Sequence, residues 1–207
     1  MKPARIAGVF TVIAAAALPV LLPSAALADP AGDLRKEIAA VKSFCAPFTQ
    51  KVTGLKGETV QEGSGSVCVL KEKSSFRVET KTPDENLVVS DGKSVWSYDP
   101  FMQQVTIASF SEIAGSSPLG LIASDSPEVW GKYKVKHVAG GYELSGAEGG
   151  DSFVLTVGGG SISGFEIVSR DGRKNSYKLG SAGPVAAGTG FSFEIPKGTE
   201  VDDRRSR

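Results

Sequence analysis

The chain of 207 residues balances 23 basic against 23 acidic side chains and holds one histidine and two cysteines. Near-neutral charge without a basic stripe argues against nucleic-acid binding, and two cysteines are too few for a structural zinc site. The length suits one domain with a sizeable core.

Residues 1–28 read as a cleaved signal peptide. Lys2 and Arg5 open it, an apolar run follows from Ile6 to Leu22, and Ala26-Leu27-Ala28 has the small-x-small pattern of a cleavage site. Export as a soluble protein follows, with residues 29–207 as the single mature domain. From Asp33, a suitable N-cap, Leu34, Ile38 and Val41 recur at helical spacing. Extended segments are then expected near 44–53, 60–71, 75–81, 86–90, 93–98 and 102–108. In the first hairpin, a turn at Lys56-Gly57 sets Cys45 directly opposite Cys68, within reach of a disulfide in an oxidising compartment. Asp91-Gly92 is a strong hairpin signal inside a stretch rich in aliphatic and aromatic residues, including Trp96. Phe110 to Tyr133 lacks alternation and carries helix starts at Ser117-Pro118 and Ser126-Pro127, so two or three short helices are expected there. Leu119, Leu121 and Ile122 form an apolar knot among them. A second strand group is expected near 132–138, 142–146, 151–157, 162–170, 173–179 and 190–195, with Gly180 to Gly190 as a loop.

No catalytic pattern emerges. His137 falls on a strand beside Lys134 and Lys136, with no serine or carboxylate placed near it by sequence. The chain lacks G-x-S-x-G, a P-loop, a dinucleotide fingerprint and HExxH. No enzyme, metal or cofactor is therefore expected. Sequential hairpins with many glycines suggest an antiparallel meander curved into a sandwich or barrel, whose helices either close over an apolar cavity suited to a hydrophobic ligand or fill an ordinary core with the same residues.

The mature chain resembles the periplasmic outer-membrane lipoprotein carrier family, LolA. SFCAPFTQKV followed by VQEGSGSVCV is similar to that family's first hairpin, and TPDENLVVSDGKSVWSYDPFMQQVT is similar over its whole length. SSPLGLIA resembles the lid-helix motif and FSFEIPKGTEVDDRR the closing strand and tail.

The resemblance implies a mainly β (α+β) fold: an incomplete antiparallel β-barrel of about eleven strands with short lid helices over an apolar cavity. It implies a monomeric, non-enzymatic shuttle that receives acylated lipoproteins from the inner-membrane ABC transporter LolCDE and delivers them to the outer-membrane acceptor LolB. Leu34, Ile38, Val41, Leu119, Leu121 and Ile122 would form cavity and lid, with Phe48, Val78 and Trp96 on the sheet. Phe76 matches a position of partner contact. Where the family has an Arg-Pro pair that holds the lid, this chain reads LKEKSSFRVE, which leaves Lys71 and Arg77 as latch candidates. The alternative is a related open-barrel lipid-binding or sensor module. An acceptor role would call for a lipidated cysteine at the mature start, where this chain has Asp29.

Overall fold

The computed structural model describes residues 29–124, 126–146 and 149–205. The expected signal peptide lies outside them. Helix α1 (Pro30–Ala40) starts earlier than expected. Its cap is Asp29, whose carboxylate accepts from the Gly32 N–H at 3.0 Å, and Pro30 takes the first turn, where its missing N–H costs nothing. Asp33 sits in that turn instead, where the helix dipole favours its charge.

After α1 come β1 (Phe44–Thr53), β2 (Thr59–Leu70), a 3-10 turn (Lys71–Lys73), β3 (Ser75–Thr82), β4 (Asn86–Ser90), β5 (Ser94–Asp99) and β6 (Gln104–Ser109). Three short helices follow: α2 (Phe110–Ala114), α3 (Pro118–Ala123) and α4 (Pro127–Trp130). The second strand group is β7 (Tyr133–Val138), β8 (Gly141–Gly146), β9 (Ser152–Gly158), β10 (Ser161–Val168), β11 (Lys174–Leu179) and β12 (Glu200–Asp203). At Asp91-Gly92 the turn works as its residues require. Gly92 takes φ +86°, and the Asp91 carboxylate accepts from the Lys93 and Ser94 N–H groups at 2.8 Å each.

The barrel expectation is corrected by the strand order. Among the described residues twelve strands, not eleven, form one open sheet in the order β12-β6-β5-β4-β3-β2-β1-β11-β10-β9-β8-β7. A barrel needs its outermost strands to share hydrogen bonds; β12 and β7 are separate edges, so the sheet is neither closed nor curled into one. The edges are protected by other means: β7 exposes Lys134 and Lys136, and β12 is four residues long with three carboxylates. Every neighbouring pair is antiparallel except β12 with β6, which is parallel. The last strand also lies at Glu200–Asp203 and not at 190–195. Its position follows from the route of the chain. Residues 180–199 leave β11, cross the sheet and turn at Pro196–Thr199, so that β12 enters beside β6 in the same direction.

Alternation divides the sheet into two faces. Phe44, Val69, Phe76 and Val95 belong to one cross-strand row, and Ala46, Val67, Val78 and Val88 to the next. This inner face carries the helices. In the second strand group it continues through Tyr177, Phe165, Leu155 and Tyr142. A bulge between Ile162 and Gly164 lets Ile162 and Phe165, an odd number of residues apart, both turn inward. The row Cys45, Cys68, Arg77, Val89, Trp96, Ile107 lies on the opposite, outer face.

The crossing segment covers that outer face. It makes backbone hydrogen bonds with Cys45 at Gly183, accepts from Arg77 at the Gly190 carbonyl (3.2 Å), and sets Phe193 against Tyr98 with ring centroids 5.2 Å apart. Val89, Val105 and Ile107 are buried on this face. The sheet is thus covered on both sides in its first half: helices inside, an extended strap outside.

Candidate functional site

The inner layer is the largest apolar feature of the molecule. Leu34 and Ile38 from α1, Val41 after it, and Leu119, Leu121 and Ile122 from α3 join one continuous buried cluster with Phe48 and Phe76 of the sheet; Val78 packs against its edge. All six residues of α3 are buried, so the helix presents apolar surface on every side and depends on its neighbours for stability. Its contact with α2 requires Gly120, because a Cβ there would stand 2.5 Å from the Ala114 Cα. Trp130 closes the layer from α4, its indole N–H donating to the Ser124 carbonyl at 3.3 Å.

The expected cavity is filled in this arrangement. Hollows of about 310 to 540 Å³ open at two margins of the layer and on the outer face, and Leu34, Ile38, Leu121 and Ile122 line none of these. The largest is bordered by Tyr133, Phe153, Lys132 and Arg170, and one of about 450 Å³ by Val41, Phe44 and Ile162. The physical reason is the shortness of the helices: four small elements settle into the sheet face and replace solvent with their own side chains.

Not every expected site residue reaches this layer. Trp96 opposes Val89 and Ile107 and therefore points to the outer face. Arg77 shares that face, where its guanidinium is held by Glu79 and the Gly190 carbonyl. Lys71 lies on the helix side. Its ammonium donates to the Ile38 carbonyl near the end of α1, and its backbone N–H donates to Ser43 Oγ at 2.9 Å. Ser43 in turn donates to the Glu72 carboxylate at 2.6 Å, which holds that carboxyl below its ordinary value. Phe76 is only 2% exposed, with its ring 6.4 Å from that of Phe110. A partner could meet it only after the helices move.

Sequence reasoning missed several residues of the layer. Phe110, Trp130 and Phe165 are buried in it, and Tyr177 stacks on Phe165 at 4.6 Å and meets Phe48 edge-on at 5.4 Å. Period-two alternation of Asn175, Tyr177 and Leu179 within β11 was the available signal for Tyr177; in the sheet Leu179 opposes Phe48 and Tyr177 opposes Gln50. Cys45 and Cys68 oppose each other in the register of β1 and β2 and are joined by a disulfide on the outer face. Their turn also carries a bulge beside Thr53. Among the described residues no group of three or more His, Cys, Asp or Glu side chains could hold a metal. His137 is half-exposed, 3.5 Å from Asp33 of α1, with its ring tilted against that of Tyr142 at 4.7 Å. It fastens α1 to the sheet edge and faces no nucleophile within these contacts.

The model of the family described as "Outer membrane lipoprotein carrier protein LolA" matches residues 39–194. An outer-membrane lipoprotein carrier protein of Yersinia enterocolitica is 37% identical over 198 residues, covering 93% of this chain and 97% of its own. That of Sodalis glossinidius is 38% identical over 191 residues, covering 89% and 93%. Among solved structures, a LolA superfamily protein from Nitrosomonas europaea covers 77% of this chain and 95% of its own at 12% identity, with a TM-score of 0.49. The family model over residues 39–194 and relatives 37% and 38% identical over about nine-tenths of the chain show that it belongs to the LolA family of outer-membrane lipoprotein carrier proteins, non-enzymatic carriers of the periplasm.

Proposed function

We propose that the chain carries lipoproteins by admitting their acyl chains to the layer between sheet and helices, with α1 to α4 moving outward to make room. The observation that carries this reading is the continuous apolar cluster shared by α1, α3 and the inner sheet face in a member of a carrier family. An acyl chain of about 15 methylenes costs about 12 kcal/mol to expose to water, at about 0.8 kcal/mol per methylene. Cargo and helices compete for the same surface. Loading therefore replaces one apolar covering with another, and the two states can differ by a few kcal/mol, so cargo can leave again. Residues 1–28 act as the export signal, cleaved after Ala28, and residues 29–207 work as one monomeric domain.

Cargo is received from the transporter LolCDE and passed to the acceptor LolB. Lys71 is favoured as the latch, because its ammonium bridges the 3-10 turn after β2 to the end of α1, whereas Arg77 is engaged on the far face. Phe76, beneath Phe110, becomes a partner contact once the helices open. The test is release of a radiolabelled lipoprotein from spheroplasts by purified mature protein. Release in soluble complex with the carrier is expected. Retention in the membrane, with a known carrier active in parallel, would defeat the reading.

A further inference from the structure

Two neighbouring strands near the middle of the sheet, β1 and β11, carry a hydrogen-bonded polar group on the inner face. Gln50 of β1 opposes Tyr177 of β11, and Asn175 lies two residues before it on the same face. Gln50 Nε2 donates to Asn175 Oδ1 at 2.9 Å and to the Tyr177 hydroxyl at 3.0 Å. Asn175 Nδ2 donates to the same hydroxyl at 3.1 Å. The three contacts fix each other: the Gln50 amide must turn its nitrogen toward Asn175 Oδ1, and this turns the Asn175 nitrogen toward the phenol. The phenolic oxygen thus accepts twice, which uses both its lone pairs. Its own O–H hydrogen has no acceptor in the hydrogen bonds of the described residues. Burial pushes the Tyr177 phenol above its ordinary value, so the group stays a neutral donor at physiological pH.

The surroundings indicate what such a donor would meet. The phenol ring is stacked on Phe165 and edged by Phe48, both members of the apolar cluster. The helices pack chiefly on β2, β3, β5 and β6 at one side and on β7 and β9 at the other. Between them runs the seam of β1 and β11, where Gln50, Asn175 and Tyr177 are only partly covered. A ligand here needs an acceptor without charge, directly continued by hydrocarbon. An acyl group has that construction: a carbonyl oxygen at the head of an alkyl chain. A phosphate or carboxylate would find no cation among these three side chains.

We infer that the Tyr177 hydroxyl, oriented by Gln50 and Asn175, hydrogen-bonds the carbonyl of a bound acyl chain and so fixes how deeply that chain enters the layer. This rests on the acyl-carriage reading above and adds recognition of the carbonyl to it. One neutral hydrogen bond of this kind corresponds to about a fivefold to tenfold difference in affinity.

The experiment compares methyl laurate with dodecyl methyl ether, which differ by the carbonyl, as competitors of bis-ANS bound to the mature protein. The wild type is expected to take the ester about fivefold to tenfold more tightly, and Tyr177→Phe to bind both at the level of the ether. An ester preference kept by Tyr177→Phe would overturn the assignment. Equal binding of both compounds by the wild type would overturn carbonyl recognition and leave acyl carriage standing. If neither compound displaced the probe, the carriage reading itself would fall. Should Tyr177→Phe lose its folded circular-dichroism spectrum, Gln50→Ala, which unpins the phenol, takes its place. A reduced ester preference is then expected, and an unchanged one contradicts the inference.

Discussion

Cys45 and Cys68 lie on the outer face, away from the apolar layer, and close a loop with a sequence separation of 23 residues. In the chain-entropy picture such a bridge stabilises by roughly 3 kcal/mol. The double variant Cys45→Ala, Cys68→Ala should therefore lower the unfolding free energy by about that amount in guanidinium titration, while bis-ANS binding is unchanged. Lys71 ties the 3-10 turn to α1 at the Ile38 carbonyl, and Ser43, in the link from α1 to β1, is held by Glu72 and the Lys71 backbone of the same turn. The hydrogen bond from Ser43 lowers the Glu72 carboxyl from 4.5, so its contribution is present above that value and lost as pH falls through the lower, folded one. Amide exchange in α1 should rise on acidification below about pH 4.5, and Glu72→Gln should bring that rise to neutral pH. An α1 protection insensitive to both would remove the clasp from the account. Trp96 shows where residue-level reading stops. Asp91-Gly92 fixes its hairpin, yet Val88, Val89, Val95 and Trp96 are apolar on both faces. A sheet covered on both sides loses the in-out contrast that assigns facing.

In the proposed carriage the short helices are the elements that yield. Pro118 and Pro127 mark their starts legibly in the sequence, as Pro30 does for α1, although the nearby Asp33 competed with Asp29 as its cap. What the sequence left open was whether Leu119, Leu121 and Ile122 roof a space or fill it. Apolar residues at these positions serve either state. The structure fills it, with Leu121 and Ile122 at 0% exposure. Leu121→Ala should accordingly cost about 2–5 kcal/mol in the empty protein, as for other buried leucines. A loss below about 1 kcal/mol would contradict tight packing of α3. A lid also has to open at lower free energy than the sheet beneath it. Hydrogen exchange in α2 to α4 should therefore be faster than in β1 and β2, and acylated cargo should alter the helices' exchange while leaving those two strands alone.

At the scale of the whole molecule, eleven of the strands were legible from turns and alternation because each hairpin is a local event. The twelfth was not. β12 depends on the path of residues 180–199 across the outer face, a long-range choice that no local pattern encodes; FSFEIP, which alternates like a strand, serves as part of the strap. The same crossing explains why the sheet stays open, since β12 joins β6 and leaves β7 as the other edge. The strap and the disulfide occupy the outer face, and the proposed carriage assigns cargo to the inner one. A photoreactive side chain tests this most directly, placed in turn at Val78 on the inner face and at Trp96 on the outer, during transfer of a lipoprotein with radiolabelled acyl chains. Label should cross-link at Val78, be absent with the unacylated polypeptide, and be absent at Trp96. Cross-linking at Trp96, or none at Val78 while transfer proceeds, would contradict the inner layer as the place where acyl chains travel.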